Sequence, residues 1–205
     1  MKKRILTALV CVLLLPLLCA CSNAQEYTDK CRSAFESLTE MENLHFTSVE
    51  TSGLSDMEYA ITTRKEFWFC GQDYLYRTNM DNVFDAAATE VCKDGNAFLL
   101  TWGKWEPTKG NQLPRIPWEF YEWDVLKLVF QSAKSVDGKE TVTFNSSEHS
   151  LNVIFCFDAS GNLERFTMSG VDGHRQWEDQ YTFISLDYTS IRETIDRVYA
   201  SVTVE

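Results

Sequence analysis

The side chains with the widest chemical range are few and scattered. His45, His149 and His174 are the three histidines. None stands in the HExxH or HxH spacing that aims two imidazoles at one metal ion. Asp172, His174, Glu178 and Asp179 sit close enough in sequence to suggest a cation site. A solvated turn leading into a strand at Trp177 would place the same residues in water, and that is the reading adopted. Asp56, Asp81 and Asp85 read in the same way, as exposed turn residues. The sequence contains no GxSxG elbow, no P-loop and no GxGxxG. No catalytic residue, no metal ligand and no cofactor is therefore assigned, and the chain reads as non-enzymatic.

Thiols and aromatic rings remain. Cys31, Cys70, Cys92 and Cys156 lie in the body of the chain, and four cysteines allow three pairings. Cys70 and Cys92 fall at the same end of two strands separated by a third, Tyr74–Met80. Two strand spacings are about 9.6 Å, beyond the roughly 7 Å that a disulfide can bridge. Cys70 and Cys156 have aromatic neighbours and read as small buried hydrophobes, so free thiols are expected. No CxxC occurs, which argues against a zinc knuckle or a thioredoxin-like site.

The aromatic rings concentrate around the stretch Gly103 to Pro117, which carries Pro107, Pro114, Pro117, Gly103 and Gly110 and is expected to be a loop. Pro117 can open a helix over Trp118–Phe130. Trp118, Tyr121, Val125, Leu128 and Val129 make one apolar side of that helix. Phe120, Trp123 and Phe130 make a second, roughly opposite. A helix apolar on two sides is sandwiched or offers one side to a ligand. Loop and helix together read as a lid over an apolar cavity, with Trp105, Trp118, Phe120, Trp123 and Phe130 as candidate ligand-binding residues. The alternative is a helix buried between sheet and loop. The spacing of the tryptophans does not select a sugar over an acyl chain.

The elements that must position these rings are mostly strands. Cys31, Ala34, Phe35, Leu38 and Met41 recur at helical spacing and predict a helix over Tyr27–Glu42. From Leu44 the pattern changes. Asp94-Gly95 and Asp137-Gly138 are type I′ hairpin signals, and Ser160-Gly161-Asn162 and Cys70-Gly71-Gln72-Asp73 mark two more turns. The expected strands are Leu44–Thr51, Met57–Phe69, Tyr74–Met80, Ala87–Lys93, Ala97–Trp102, Lys134–Val136, Glu140–Phe144, Leu151–Phe157, Leu163–Met168 and Trp177–Leu186. Successive hairpins make one large antiparallel meander. A last helix is expected over Ile191–Tyr199, with Ser190 and Glu193 as a capping box and Ile191, Ile195, Val198 and Val202 on one face. Phe67-Trp68-Phe69-Cys70, Ala97 to Leu100 and Val153 to Phe157 do not alternate. Strands of that kind must be covered on both faces. The fold class is thus α+β: a large curved antiparallel sheet with an N-terminal, a mid-chain and a C-terminal helix.

The first residues carry a different message. Lys2, Lys3 and Arg4 precede Ile5 to Leu18, an apolar run of 14 residues without a charge. That run is too short for a membrane span, which takes about 20 residues, and it has the flanks of a secretory leader. Leu18-Cys19-Ala20-Cys21 resembles the lipobox of bacterial lipoproteins, although Cys19 is an unusual residue at its position. The resemblance implies cleavage before Cys21 and a diacylglyceryl group on that residue. The plain-secretion alternative would cut elsewhere, near Ala20 or Ala24. The expected organisation is residues 1–20 as signal peptide, 21–26 as lipidated cysteine and short tether, and 27–205 as one α+β domain. Five tether residues reach about 17 Å.

Loss of the leader removes three cations and takes the net charge from −11 to −14. A body this acidic repels nucleic acid and anionic lipid heads. The membrane contact is therefore expected through the lipid alone, on the extracytoplasmic face of a bacterial membrane.

A helix followed by a strongly curved sheet with helices laid against it resembles the lipoprotein-carrier fold of the LolA/LolB type, over Tyr27 to the C-terminus. That resemblance implies a half-barrel with an apolar cavity for a hydrophobic small molecule or an acyl chain. An NTF2-like cone or a lipocalin-like sheet would give similar strings. Two rival functions stay open at this point: an interaction module with a filled core and an unknown protein partner, and an envelope hydrolase.

Overall fold

The computed structural model describes residues 23–38, 40–54, 60–81, 87–110, 126–185 and 187–203. Eleven strands form one open sheet in the order β6-β5-β4-β3-β2-β1-β11-β10-β9-β8-β7. They are β1 (Asn43–Leu54), β2 (Ile61–Cys70), β3 (Asp73–Met80), β4 (Ala88–Lys93), β5 (Asn96–Thr101) and β6 (Lys104–Thr108) in one half. The other half holds β7 (Val129–Val136), β8 (Lys139–Ser146), β9 (Leu151–Phe157), β10 (Leu163–Asp172) and β11 (Arg175–Ile184). Each half is a meander, and the halves join where β1 pairs antiparallel with β11, from His45↔Ile184 to Leu54↔Arg175. The large antiparallel sheet is as the sequence predicts.

The tight turns follow from their residues. Asp94 and Gly95 have φ of 51° and 78°, and Asp137 and Gly138 have 52° and 78°, the left-handed pair that a type I′ hairpin needs. Trp102 and Gly103 adopt the same pair, at 55° and 75°, and turn β5 into β6. This overturns part of the expected loop: Lys104–Thr108 is a strand, not irregular chain. Pro107 is tolerated there because β6 is the sheet's edge, where a missing N–H costs no ladder bond.

Two helices are present among the described residues. Helix α1 covers residues 23–38. Residues 23–26, expected as tether, are its first turn, and Thr28 Oγ1 donates back to the Ala24 carbonyl at 2.8 Å. Its stripe of Cys31, Phe35 and Leu38 is buried. Phe35 meets Phe155 and Phe166 with ring centroids at 5.0 and 5.1 Å. Tyr27 stacks on Phe130 at 5.4 Å. Lys30 pairs with Glu140 and lies 4.3 Å over the Phe157 ring. The helix thus seals the inner face of β7–β10.

Helix α2 (Tyr188–Tyr199) lies on the other face. Ile191 and Ile195 are buried against Trp68, Cys70, Leu75 and Val91, and Tyr199 packs edge-on to Phe98 at 5.9 Å. Arg192 Nη1 bonds Asp73 Oδ2 at 2.5 Å, and Lys93 bonds Asp196 at 2.7 Å. These pairs clamp α2 to β3 and β4. The β2 expectation is thereby explained, whereas in β5 only Ala97 is buried, Phe98 packs on the α2 cluster, and Leu99 and Leu100 are half-buried. Phe67 and Phe69 face the α1 core while Trp68 and Cys70 face α2. β9 differs: Val153, Phe155 and Phe157 are buried, but Ile154 and Cys156 are only half-buried. They alternate onto the outer face, and α2 packs against β1–β4 rather than β9.

Two helix expectations need correction. The N-cap of α2 is Asp187, not Ser190. Asp187 Oδ1 accepts from the Ser190 N–H at 2.9 Å, and the Ser190 hydroxyl donates to Oδ2 at 2.9 Å. The mid-chain helix does not reach Phe130, because residues 126–127 form a turn and Val129 and Phe130 open β7. The rest of that expected helix, residues 118–125, lies outside the described residues.

The cap predicts a pH effect. The Ser190 backbone N–H holds the Asp187 carboxyl below the usual carboxylate range. A depressed folded-state value adds stability above the unfolded value, near 3.9, and loses it as the pH falls through the folded one. Asp187→Ala is expected to lower the melting temperature at neutral pH. The difference from the parent should shrink below about pH 4, as read by circular dichroism across a pH series.

Candidate functional site

Of the five expected lid residues, the two that lie among the described residues do not come together. Trp105 sits on β6 and packs into the cluster under α2, while Phe130 sits on β7 and packs against the α1 cluster. They occupy opposite faces and opposite edges of the sheet. No single cavity wall includes both. Trp118, Phe120 and Trp123 lie outside the described residues, as do the leader and Cys21.

Other sequence candidates settle into structural positions. Cys31, Cys70, Cys92 and Cys156 are free thiols. Burial pushes the Cys31 and Cys92 thiols up, which makes them poorer nucleophiles. Cys70 pairs with Asp73 and Cys92 with Tyr74, so β3 does separate them. Asp172 and His174 are exposed at the β10–β11 turn. Among the described residues no three His, Cys, Asp or Glu side chains group as metal ligands, and no helix is long and apolar enough to cross a membrane.

The inner face of the sheet is not uniformly apolar. Glu90 on β4 is buried and accepts from Tyr74 Oη at 2.5 Å. Lys65 pairs with Glu50 on the same face. The Ser48 hydroxyl is buried without a partner.

The strongest described site is a recess of about 700 Å³ where α1 runs into β1 and β11 runs into α2. Its origin is topological. β1 begins beside the end of β11, and each strand continues into a helix on a different face. Neither helix can fill the gap at the strand ends. Leu38 and Met41 close one side, Phe183 and Ile184 the floor, and Tyr188 and Ile191 the other side. The β9–β10 hairpin supplies a rim with Asp158, Asn162 and Glu164.

Met41 (44% exposed), Ile184 (37%) and Tyr188 (55%) are three of the few large hydrophobic residues left open to solvent, and all three line this recess. Isolated exposed hydrophobics need no explanation, but convergence on one concavity does. The volume lies within the range of small-molecule pockets, about 300–1,000 Å³. Asn43 and His45 lie in the same wall. His45 stacks on Trp68 with centroids 4.8 Å apart, and its Nε2 contacts Glu66 Oε1 at 3.0 Å.

A second recess, of about 630 Å³, lies near the opposite ends of β1 and β11. Its walls mix Thr51, Asn152, Ser169, Gln176 and Glu178 with Val171 and Trp177, so it is less apolar than the first.

No family model matches the sequence, and no curated protein matches it. Solved structures align over most of its length. LprF of Mycobacterium bovis is 12% identical, with 79% of this chain and 93% of that one covered and a TM-score of 0.46. Lipoprotein LppX of Mycobacterium tuberculosis is 13% identical over 78% of this chain and 96% of that one, at 0.42. A LolA superfamily protein of Nitrosomonas europaea is 8% identical over 82% and 96%, at 0.34.

Proposed function

We propose that this chain is a lipid-anchored envelope protein on the extracytoplasmic face of a bacterial membrane, and that it binds an apolar ligand without catalysis. The carrying observation is the recess between α1 and α2, with Met41, Ile184 and Tyr188 open into it. Three further features support the reading. The leader ends in Leu18-Cys19-Ala20-Cys21, a lipid-attachment pattern. The mature body is one domain, residues 27–205 with a preceding turn of helix. An open sheet of eleven strands curls into a half-barrel because strand twist accumulates, and the burial of Ser48 and Glu90 on its inner face fits that curvature. The ligand is a hydrophobic small molecule or an acyl chain, and it enters at the strand ends rather than beneath Trp105 and Phe130.

The neutral dye N-phenyl-1-naphthylamine tests this with the unlipidated Cys21→Ala protein. Saturable fluorescence enhancement is expected. Ile184→Asp should weaken it at least tenfold, since a carboxylate would be forced against Phe183 and Tyr188. Absence of saturation in the parent, or an unchanged titration in the variant, refutes the site.

A further inference from the structure

Two polar atoms of the recess wall stand apart from its rim, and together they have a sign. Asn43 Oδ1 and His45 Nδ1 are both buried and both without a hydrogen-bond partner. His45 is 6% exposed. Buried polar atoms are rarely left unpaired, and each case calls for an explanation. Two in one wall of one cavity point to a missing partner.

The chemistry of that partner follows from the two atoms. Asn43 Oδ1 is an acceptor. The Glu66 carboxylate can only accept, so the Nε2 atom that contacts it carries the ring proton. When the ring carries that one proton, Nδ1 presents a lone pair and is an acceptor as well. Residues 43 and 45 alternate on one strand, so both side chains leave the same face, about 7 Å apart along β1. His45 pairs with Ile184 in register, which places the two acceptors beside the apolar floor. Among the described residues no Lys or Arg lines the recess, and its charged lining residues are Asp158 and Glu164. Asp158 already accepts from the Ser160 and Asn162 backbone N–H groups, and Glu164 is paired with Lys139 at 3.0 Å. An anionic head would find acceptors and carboxylates there and no cation.

We infer that the recess takes a long-chain amphiphile whose head donates hydrogen bonds, an alcohol or an amine, and that it discriminates against a carboxylate head. The chain lies along Leu38, Phe183 and Ile191, and the head reaches Asn43 and His45. This deepens the proposed function and rests on its assignment of the recess.

The test uses the mature, lipidated protein in nanodiscs at pH 8 with three photoreactive probes: diazirine-bearing dodecanol, dodecylamine and dodecanoate. Labelling of recess peptides is read by mass spectrometry and normalised to labelling of the nanodisc lipid. The alcohol and the amine are expected to label the recess at least tenfold more than the carboxylate. The double variant Asn43→Leu, His45→Phe keeps an aromatic ring on Trp68 and should abolish the preference, and the single variant Asn43→Leu should reduce it. Equal labelling by all three probes overturns the head-group inference and leaves an apolar site standing. No labelling of the recess by any probe overturns both. A preference that survives in the variants overturns the roles of Asn43 and His45.

Discussion

Phe155→Ala is expected to lower the unfolding free energy by about 4 kcal/mol, within the 3–5 kcal/mol range of buried Phe truncations. Phe155 is fully buried. Its ring meets Phe35 from α1 at 5.0 Å, Phe166 from β10 at 5.0 Å and Phe144 from β8 at 5.7 Å. Truncation leaves a cavity that three rings on three separate elements cannot collapse to fill, because each is held by its own backbone. The tilted and edge-on pairs add about 0.5–1.5 kcal/mol each beyond area burial. Urea unfolding followed by tryptophan fluorescence measures the loss. A change under about 1 kcal/mol would mean that α1 is not seated on β8–β10 as described.

Cys21→Ala is expected to move the protein from the membrane fraction to the soluble one completely and to abolish palmitate incorporation. A single acyl chain binds a bilayer marginally, and stable attachment takes two signals. The lipid on Cys21 would supply both. The acidic body, at −14 without its leader, adds repulsion from anionic lipid rather than a second attraction. Continued sedimentation with membranes after the substitution would place the attachment elsewhere.

How much of this was legible in the sequence depends on how local the signal is. Leu151–Phe157 is a short apolar run that ends just before the Ser160-Gly161-Asn162 turn signal, and it is β9 to the residue. Asp94-Gly95 and Asp137-Gly138 turn where their left-handed preference says they should. Lys104–Thr108 was hidden because Gly103 and Pro107 read as breakers. The glycine instead makes a hairpin, and the proline occupies an edge where it costs little. Leu128 and Val129 kept the helical spacing of the preceding stretch, and a short apolar run does not separate helix end from strand start. Ser190 had the right residue type for a cap, but Asp187 stands one turn earlier and caps with a carboxylate.

The recess itself was beyond reach. Its walls come from three distant parts of the chain, around residues 34–45, 158–164 and 183–191, and only the β1–β11 pairing brings them together. Met41 read only as the last residue of the first helix's stripe, and Tyr188 lay ahead of the expected last helix, so neither marked a cavity. The orphaned atoms of Asn43 and His45 had none, since a missing partner is a property of the packed state.

The central pairing of β1 with β11 also sets the order of assembly. Every other ladder in the sheet links neighbours in sequence, so each half can zip through short hairpins within microseconds to tens of microseconds. The join between His45 and Ile184 closes a loop of most of the chain, and its entropy is lost before any contact there repays it. The two halves are thus built as quick, locally encoded pieces whose union is the slow event. Helices α1 and α2, which flank that union in sequence, find their seats only once it is complete.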